Sequence, residues 1–108
     1  MSYFGLEEMQ EMQKVLQDKY KDKWEAITPE TGKNKLLWLV TELGEVADII
    51  KKDGDRKIVE EKSVRTHFIE ELCDVLMYFN DVMLCYGITV DELKEEYIAK
   101  HNRNMSRW

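Results

Sequence analysis

Four acidic residues form two pairs whose members are three positions apart. The first pair is Glu42 and Glu45, and the second is Glu71 and Asp74. Because residues three apart lie on one face of a helix, two antiparallel helices that carry such pairs can bring four carboxylates around one point. Oxygen ligands without His or Cys are preferred by hard cations. The spacing therefore indicates a site for Mg²⁺ or Mn²⁺.

The residues around these pairs strengthen that interpretation. A single pair of this kind can arise by chance among 22 acidic residues. However, Trp38 and Ile49 share the side of the helix that carries the first pair, and the second pair continues as a stripe to Asp81 in a segment that is apolar nearly all round. Buried carboxylates cost several kcal/mol unless they are compensated. We therefore expect either basic partners or a metal ion among them.

The C-terminal residues are basic although the protein is acidic. Lys100, Asn104 and Arg107 are spaced so that they share one helix face. Cationic and amide groups near a site that holds Mg²⁺ are typical of polyphosphate binding, since they offset phosphate charge. The ordinary alternative is that cations favour the C-terminus of a helix through its dipole.

Four helices are predicted to position these residues, and no segment alternates long enough to predict a strand. The first runs from about residue 6 to 24, and the second begins at Pro29 or Asn34 and ends near residue 52. Residues 56–65 form a connection with a short helical turn, the third helix covers about 64–86, and a capping box at Thr89 opens the fourth. The expected core stripes are Leu6, Met9, Met12, Leu16 and Tyr20; Leu36, Leu39, Val40, Leu43, Ala47 and Ile50; Leu72, Val75, Leu76, Phe79, Val82, Met83 and Tyr86; and Val90, Leu93, Tyr97 and His101.

Length and composition limit the possible classes of protein. The 108 residues allow one domain, 1–108, and a net charge of −6 argues against general binding to nucleic acid. No apolar run is as long as a membrane span, residues 1–8 do not resemble a signal peptide, and Cys73 and Cys85 are expected to be buried thiols. We therefore expect a cytoplasmic protein. Since a chain this short has a small core, the very apolar third helix predicts a homo-oligomer.

These motifs together resemble the MazG-like all-α nucleotide pyrophosphohydrolase family. That family's signature is Glu-Glu-x-x-Glu followed, after a gap, by Glu-x-x-Asp, and here residues 46–70 separate the two halves. Residues 39–47 and 69–76, Tyr78 one turn after Asp74, and the Lys-x-x-x-Asn-x-x-Arg tail are similar to the family pattern. The departure is Thr41, where the family usually has a glutamate that some accounts link to the attacking water.

The resemblance implies a four-helix MazG-like bundle that assembles as a homodimer or homotetramer. It implies hydrolysis of a nucleoside or deoxynucleoside triphosphate between the α and β phosphates, giving a monophosphate and pyrophosphate, as in the removal of unwanted nucleotides. Mg²⁺ would be held by the catalytic acids, one of which, Glu45, takes the proton of the attacking water. The implied substrate-binding residues are Lys35, Lys100, Asn104 and Arg107 for the phosphates, Tyr78 as a hydrogen-bond donor and Trp38 as a stacking surface for the base.

Three alternatives remain open at the level of sequence. A phosphoribosyl-ATP pyrophosphohydrolase of histidine synthesis shares the carboxylate pattern and the chain length. A helical interaction module could have lost catalysis through Thr41. A plain four-helix structural protein would require Lys or Arg partners for the acidic stripe.

Overall fold

The computed structural model describes residues 3–108, so Met1 and Ser2 of the predicted domain lie outside the described residues. The predicted all-α class is confirmed, with no strand among those residues. Four helices are long and a fifth, α3, is a short helix within the predicted connection. The bounds are α1 Leu6–Lys19, α2 Gly32–Asp53, α3 Asp55–Glu60, α4 Lys62–Cys85 and α5 Val90–Met105.

The helix ends follow local chemistry. A 3₁₀ turn, Pro29–Thr31, precedes α2, so the helix starts between the two predicted positions. The Thr28 backbone N–H donates to Thr31 Oγ1 at 3.1 Å, and proline provides a suitable φ for the first position of the turn. The predicted cap of α5 is confirmed, because Thr89 Oγ1 accepts a hydrogen bond from the Glu92 backbone N–H at 3.1 Å. In contrast, α1 ends before the predicted residue 24, where the Trp24 ring folds back and stacks on Tyr20 with centroids 4.6 Å apart.

The hairpin of α2 and α4 is the centre of the fold. Gly54, with a φ of 85°, lets the chain turn after α2, and α3 leads it back into α4. The two long helices therefore run antiparallel and pack along their lengths, with Val46, Ile49, Met83 and Cys85 as the buried apolar residues. Cys85 is buried as expected, whereas Cys73 is exposed, so that half of the cysteine prediction is wrong.

The predicted core stripe of α1 is only partly right, because a neighbouring face of the helix packs against α4 and leaves Met9, Leu16 and Tyr20 half-buried. The buried residues of α1 are glutamines at positions 10, 13 and 17, while Met12 is exposed and Leu6 is partly exposed. Gln13 and Gln17 both donate to Asp81 of α4, and Gln10 donates to the Ile88 carbonyl at 3.0 Å. Because the buried Asp81 carboxylate requires hydrogen-bond donors, α1 turns its glutamine face toward α4.

The predicted core stripes of the other helices are also only partly right. On α2, the face that packs on α4 is the mixed one with Val46 and Ile49, and Leu39 is half-buried. On α4, Met83 is buried but the ends of the stripe are open, and on α5 the inward prediction fails for Tyr97 and His101. On α2 and α4, the predicted core residues that are exposed in the single chain are Leu36, Val40, Leu43, Ala47, Ile50, Leu72, Leu76 and Tyr86.

Among residues 3–108, no single helix combines the length and hydropathy of a membrane span. The consecutive helices α4 and α5 pass the same criterion only when they are taken as a pair, and the chain bends by 109° between them.

Candidate active site

The hairpin brings the two predicted acid pairs together. Glu42 and Glu45 on α2 and Glu71 on α4 each present a carboxylate oxygen, and these oxygens lie within 4.8 Å of one another. Glu42 and Glu71 are half-buried, and Glu45 is exposed. Asp74 lies one turn after Glu71 and close enough to Glu42 to affect its titration, but outside the tight group of three. We call these four residues the acidic end of the site.

The electrostatics of the acidic end favour a bound cation. Partial burial raises the pKa of Glu42, and the negative charges of Asp74, Glu45 and Glu71 raise it further. Within residues 3–108, none of the four carboxylates forms an ion pair with Lys or Arg. Among residues 3–108, the one basic side chain within 4.0 Å of these carboxylates is His67, whose Nδ1 lies 4.0 Å from Glu71 Oε1. The Lys or Arg partners that a purely structural role requires are therefore missing, and the donor set fits a hard divalent cation.

A cavity of about 690 Å³ opens between α1, α2 and α4 beside these acids. Four predicted site residues line it: Lys35 and Trp38 from α2, and Asp74 and Tyr78 from α4. Trp38 is 54% exposed, so its ring is a wall of the cavity rather than part of the core. The volume is in the range of small-molecule sites.

The far part of the cavity contains a polar cluster that sequence reasoning identified only in part. Asp81 is 3% exposed, and its Oδ1 accepts hydrogen bonds from Gln13 Nε2 at 2.9 Å and from Gln17 Nε2 at 3.1 Å. Lys35, 7% exposed, is near enough to lower the pKa of Asp81. Burial is the larger effect and raises the pKa of Asp81 overall. We call Gln13, Gln17, Lys35 and Asp81 the amide end.

The two glutamines were not predicted as site residues. A signal for them exists in the sequence, since Gln10, Gln13 and Gln17 follow helical spacing and form a polar stripe beside the apolar one. Asp81 was noted only as an extension of the acidic stripe. Its hydrogen-bond donors are the two glutamine amides of α1, which lie 64 and 68 residues away in the sequence.

Tyr78 connects the two ends. Burial raises the pKa of its hydroxyl, and the neighbouring charges of Glu42, Asp81 and Asp74 raise it further. Its phenol therefore stays protonated and can donate a hydrogen bond to a negatively charged ligand.

The predicted phosphate-binding residues of α5 are not brought to the cavity by the single chain. Lys100, Asn104 and Arg107 do not line it, and among the described helices α5 packs only against α1. The Arg107 guanidinium lies over the Trp108 ring at 5.2 Å. The assignment of these three residues to the phosphates remains a prediction.

Thr41, which replaces the expected glutamate, is exposed at the cavity. Its hydroxyl donates to the Leu37 carbonyl oxygen of the preceding turn at 3.1 Å. The hydrogen of this hydroxyl is thereby used within the helix.

Comparison with known proteins supports the resemblance seen in the sequence. A family profile, the MazG nucleotide pyrophosphohydrolase domain, matches residues 30–106. No curated protein and no solved structure gave a match. The matched segment contains the whole acidic end. It excludes α1, which carries Gln13 and Gln17 of the amide end. Because the match covers most of the 108 residues, this chain belongs to the MazG nucleotide pyrophosphohydrolase family.

Proposed function

We propose that this protein hydrolyses nucleoside triphosphates between the α and β phosphates in the presence of Mg²⁺, giving a nucleoside monophosphate and pyrophosphate. Removal of unwanted nucleotides from the cellular pool is the role that fits this reaction. The observation that carries the proposal is the group of three carboxylates within 4.8 Å, beside a cavity of about 690 Å³. The family match gives the general activity, and the site supports the choice of a triphosphate substrate.

The acidic end has the ligands that a resident Mg²⁺ would use. Glu42, Glu45 and Glu71 would hold it, with Asp74 at the edge that faces the cavity. When bound, a divalent cation supplies charge stabilisation for phosphate oxygens and makes water a stronger nucleophile. Mn²⁺ has similar ligand preferences and is the expected substitute.

The protein's own residues account for the remaining parts of the reaction. A water oxygen forms the new bond to phosphorus, the bridging P–O bond breaks, and pyrophosphate leaves with the electron pair. Glu45 is the most exposed of the three clustered acids, so it is the one best placed to pass the proton of the water to solvent. Tyr78 donates a hydrogen bond to the phosphate chain, and Trp38 offers a flat surface to the base.

The direct test is a panel of nucleoside triphosphates incubated with the protein and Mg²⁺, with a chelator as control. We expect equal amounts of monophosphate and pyrophosphate, and no product when the cation is removed. Release of orthophosphate would contradict cleavage between the α and β phosphates. Preferred hydrolysis of phosphoribosyl-ATP would assign the chain to the other enzyme class considered above.

Thr41 gives a second, independent test. The proposal expects the wild-type chain to hydrolyse triphosphates although position 41 lacks an acid. The Thr41 hydroxyl donates to the helix backbone instead. A wild-type protein that binds Mg²⁺ without turnover, together with an active Thr41→Glu variant, would show that the chain is a catalytically weakened module. Asp48→Glu, at an exposed position two helical turns after Thr41 on α2, is a control for adding side-chain length.

We also propose that a second copy of the chain covers the exposed apolar stripe of α2, forming a homodimer or one half of a homotetramer. Its members are spaced four and three residues apart in turn, which is the pattern of a helix that packs against another helix. The larger members are 43–56% exposed in the single chain, and they are Leu36, Val40, Leu43 and Ile50. An isologous pairing of two such stripes would bury both.

Light scattering during gel filtration tests the assembly. We expect at least twice the mass of 12.9 kDa for the wild-type protein, and Leu43→Glu should reduce it to the monomer mass because the charge falls within the apolar stripe. Lys52→Glu adds negative charge on α2 outside the stripe and should leave the mass unchanged. A monomeric wild-type protein at micromolar concentration would contradict the proposal.

A further inference from the structure

The amide end contains two buried charged groups whose bonding is incomplete. Asp81 Oδ1 accepts two hydrogen bonds, but its Oδ2 accepts none from residues 3–108. The ammonium of Lys35 forms no ion pair and no hydrogen bond with those residues, although the side chain is 93% buried at 7% exposure. Both residues line the cavity. Neither the Lys35 ammonium nor Asp81 Oδ2 is shut off from solvent, so both can bond to a ligand in the cavity.

The hydrogen bonds determine what the amide end offers to a ligand. A carboxylate oxygen only accepts, so Gln13 and Gln17 must both turn their nitrogen atoms toward Asp81. Their carbonyl oxygens then accept no hydrogen bond from the described residues. The cavity therefore presents three acceptors, the Asp81 Oδ2 and the two carbonyl oxygens, and one strong donor, the Lys35 ammonium.

The position of the amide end relative to the acidic end gives it a role. Lys35 precedes Glu42 by seven residues on α2, and Asp81 follows Asp74 by seven on α4, so each spacing is two helical turns or about 10 Å. That distance is comparable to the separation between the α-phosphorus of a nucleotide and the far edge of its base. A triphosphate with its phosphates at the acidic end therefore places its base edge at the amide end, past the Trp38 ring.

We propose that Asp81, held by Gln13 and Gln17 and accompanied by Lys35, selects nucleotides whose base has an exocyclic amino group next to an accepting ring nitrogen, as in cytosine and adenine. This inference rests on the proposed function and adds the substrate class to it. The amino group donates to Asp81 Oδ2, and the adjacent ring nitrogen of cytosine or adenine accepts from Lys35. Lys35 thus contacts the base, whereas the family resemblance assigns it to the phosphates, because it lies beside Asp81. A base with an oxo group at that place turns an acceptor toward the carboxylate, which repels it. The glutamines come from α1, outside the segment matched by the family profile.

The proposal is tested with two pairs of substrates in which one base carries an amino group where the other carries an oxo group. CTP is compared with UTP and ATP with ITP, and kcat/KM is measured for each at fixed Mg²⁺. Since a hydrogen bond to a charged group is at stake, we expect the amino member to be preferred about 10- to 100-fold in both pairs. Equal rates within the pairs, or preference for UTP and ITP, would overturn the proposal without any variant.

Asp81→Asn assigns the preference to this residue. The variant can keep the oxygen that accepts from both glutamines while it replaces Oδ2 by a donor, so the preference for the amino member should fall to near unity or reverse. Asp48→Asn, at an exposed position on α2, should keep the wild-type ratio. A folded Asp81→Asn protein with the wild-type ratio would overturn the assignment. If that variant does not fold, Gln17→Met, which removes one of the two amide donors that hold Asp81 and leaves the Gln13 bond, should lower the ratio in the same direction, and an unchanged ratio would have the same meaning.

Binding of product monophosphates separates this inference from the proposed reaction. Calorimetric titration of CMP against UMP, and of AMP against IMP, measures base selection without turnover. Preference for CMP and AMP in a protein that hydrolyses no triphosphate would support base selection and contradict the hydrolytic function. Turnover with no preference in either measurement would support the function and overturn the inference.

Discussion

At the acidic end of the site, beside the cavity, three carboxylates lie within 4.8 Å of one another without a Lys or Arg partner from residues 3–108. At the amide end, one carboxylate is fixed by two side-chain amides and lies near an ammonium group. Both ends raise the pKa of an acid, Glu42 in one and Asp81 in the other, and partial or full burial is the largest cause in each. The difference lies in the second cause.

At the acidic end, neighbouring negative charges add to the effect of burial on Glu42, whereas at the amide end hydrogen bonds and Lys35 oppose it on Asp81. The first arrangement lacks positive charge, which a bound cation would supply. The second gives its carboxylate two amide donors and leaves the other oxygen without a donor from the described residues. Residues of the same type thus have different roles, and their neighbours determine which.

The largest expected effect on activity comes from removing one carboxylate of the acidic end. Glu71→Gln removes one charge from the cluster, and the several kcal/mol that a metal site contributes to phosphate chemistry correspond to a loss of kcat/KM of about 10²-fold or more. Glu70→Gln, at the neighbouring exposed position, should leave activity near the wild-type value. Equal activities of the two variants would remove the acidic end from the reaction.

The same Glu71→Gln variant should lose the increase in melting temperature that Mg²⁺ gives the wild-type protein, since binding to the native state alone stabilises it. Without the cation, the variant should be as stable as the wild type or more so, because one source of repulsion with Glu42 is gone. Thermal unfolding with and without Mg²⁺ measures both effects. A large loss of stability without Mg²⁺ would indicate a structural role for Glu71 instead.

The second prediction concerns the contribution of the amide end to the stability of the fold. Gln13→Leu removes one of the two donors to Asp81, and leaving a buried acceptor short of a partner costs about 1–3 kcal/mol in the free energy of unfolding. Lys14→Leu introduces the same side chain at the adjacent exposed position and should cost much less. Urea denaturation measures both variants, and similar midpoints would contradict the role of the amide in fixing α1 to α4.

The third prediction uses pH to separate the two ends. The folded-state pKa of Glu42 lies above its unfolded value, so its contribution to stability is fully present at low pH and is lost as pH rises through the folded pKa. One proton changes the free energy of unfolding by at most about 1.4 kcal/mol per pH unit. Thermal unfolding of the metal-free protein from pH 4.5 to 8 should show this decline, and Glu42→Gln should reduce it.

Mg²⁺ gives the control for the pH experiment, because a cation competes with the proton at the acidic end and should stabilise the protein more as pH rises. The part of the pH dependence that comes from Asp81 should remain when Mg²⁺ is present. A decline that is identical with and without Mg²⁺ would show that the acidic end does not cause it.

The comparison also explains what could be read from the sequence. The acidic end depends on spacings of three residues within single helices, which a sequence displays directly, and the hairpin then brings the pairs together. The amide end joins α1 to α4 across 64 and 68 residues, and no local pattern specifies that pairing. Periodicity found the helices but assigned Leu43 and its neighbours to the core of one chain, because an apolar stripe does not tell whether its partner is the same molecule.

The smallest expected effect concerns Tyr78, which lies between the two ends. Its hydroxyl is near Glu42, Asp74 and Asp81, and all three charges, after burial, raise its pKa. Tyr78→Phe keeps the ring and removes one neutral hydrogen bond of about 0.5–1.5 kcal/mol, so kcat/KM should fall about 2- to 10-fold. Because the proposed partner of the phenol is the phosphate chain and not the base edge, the loss should be equal for CTP and UTP. A loss confined to one of the two substrates would place Tyr78 with the amide end and shift the boundary between the two halves of the cleft.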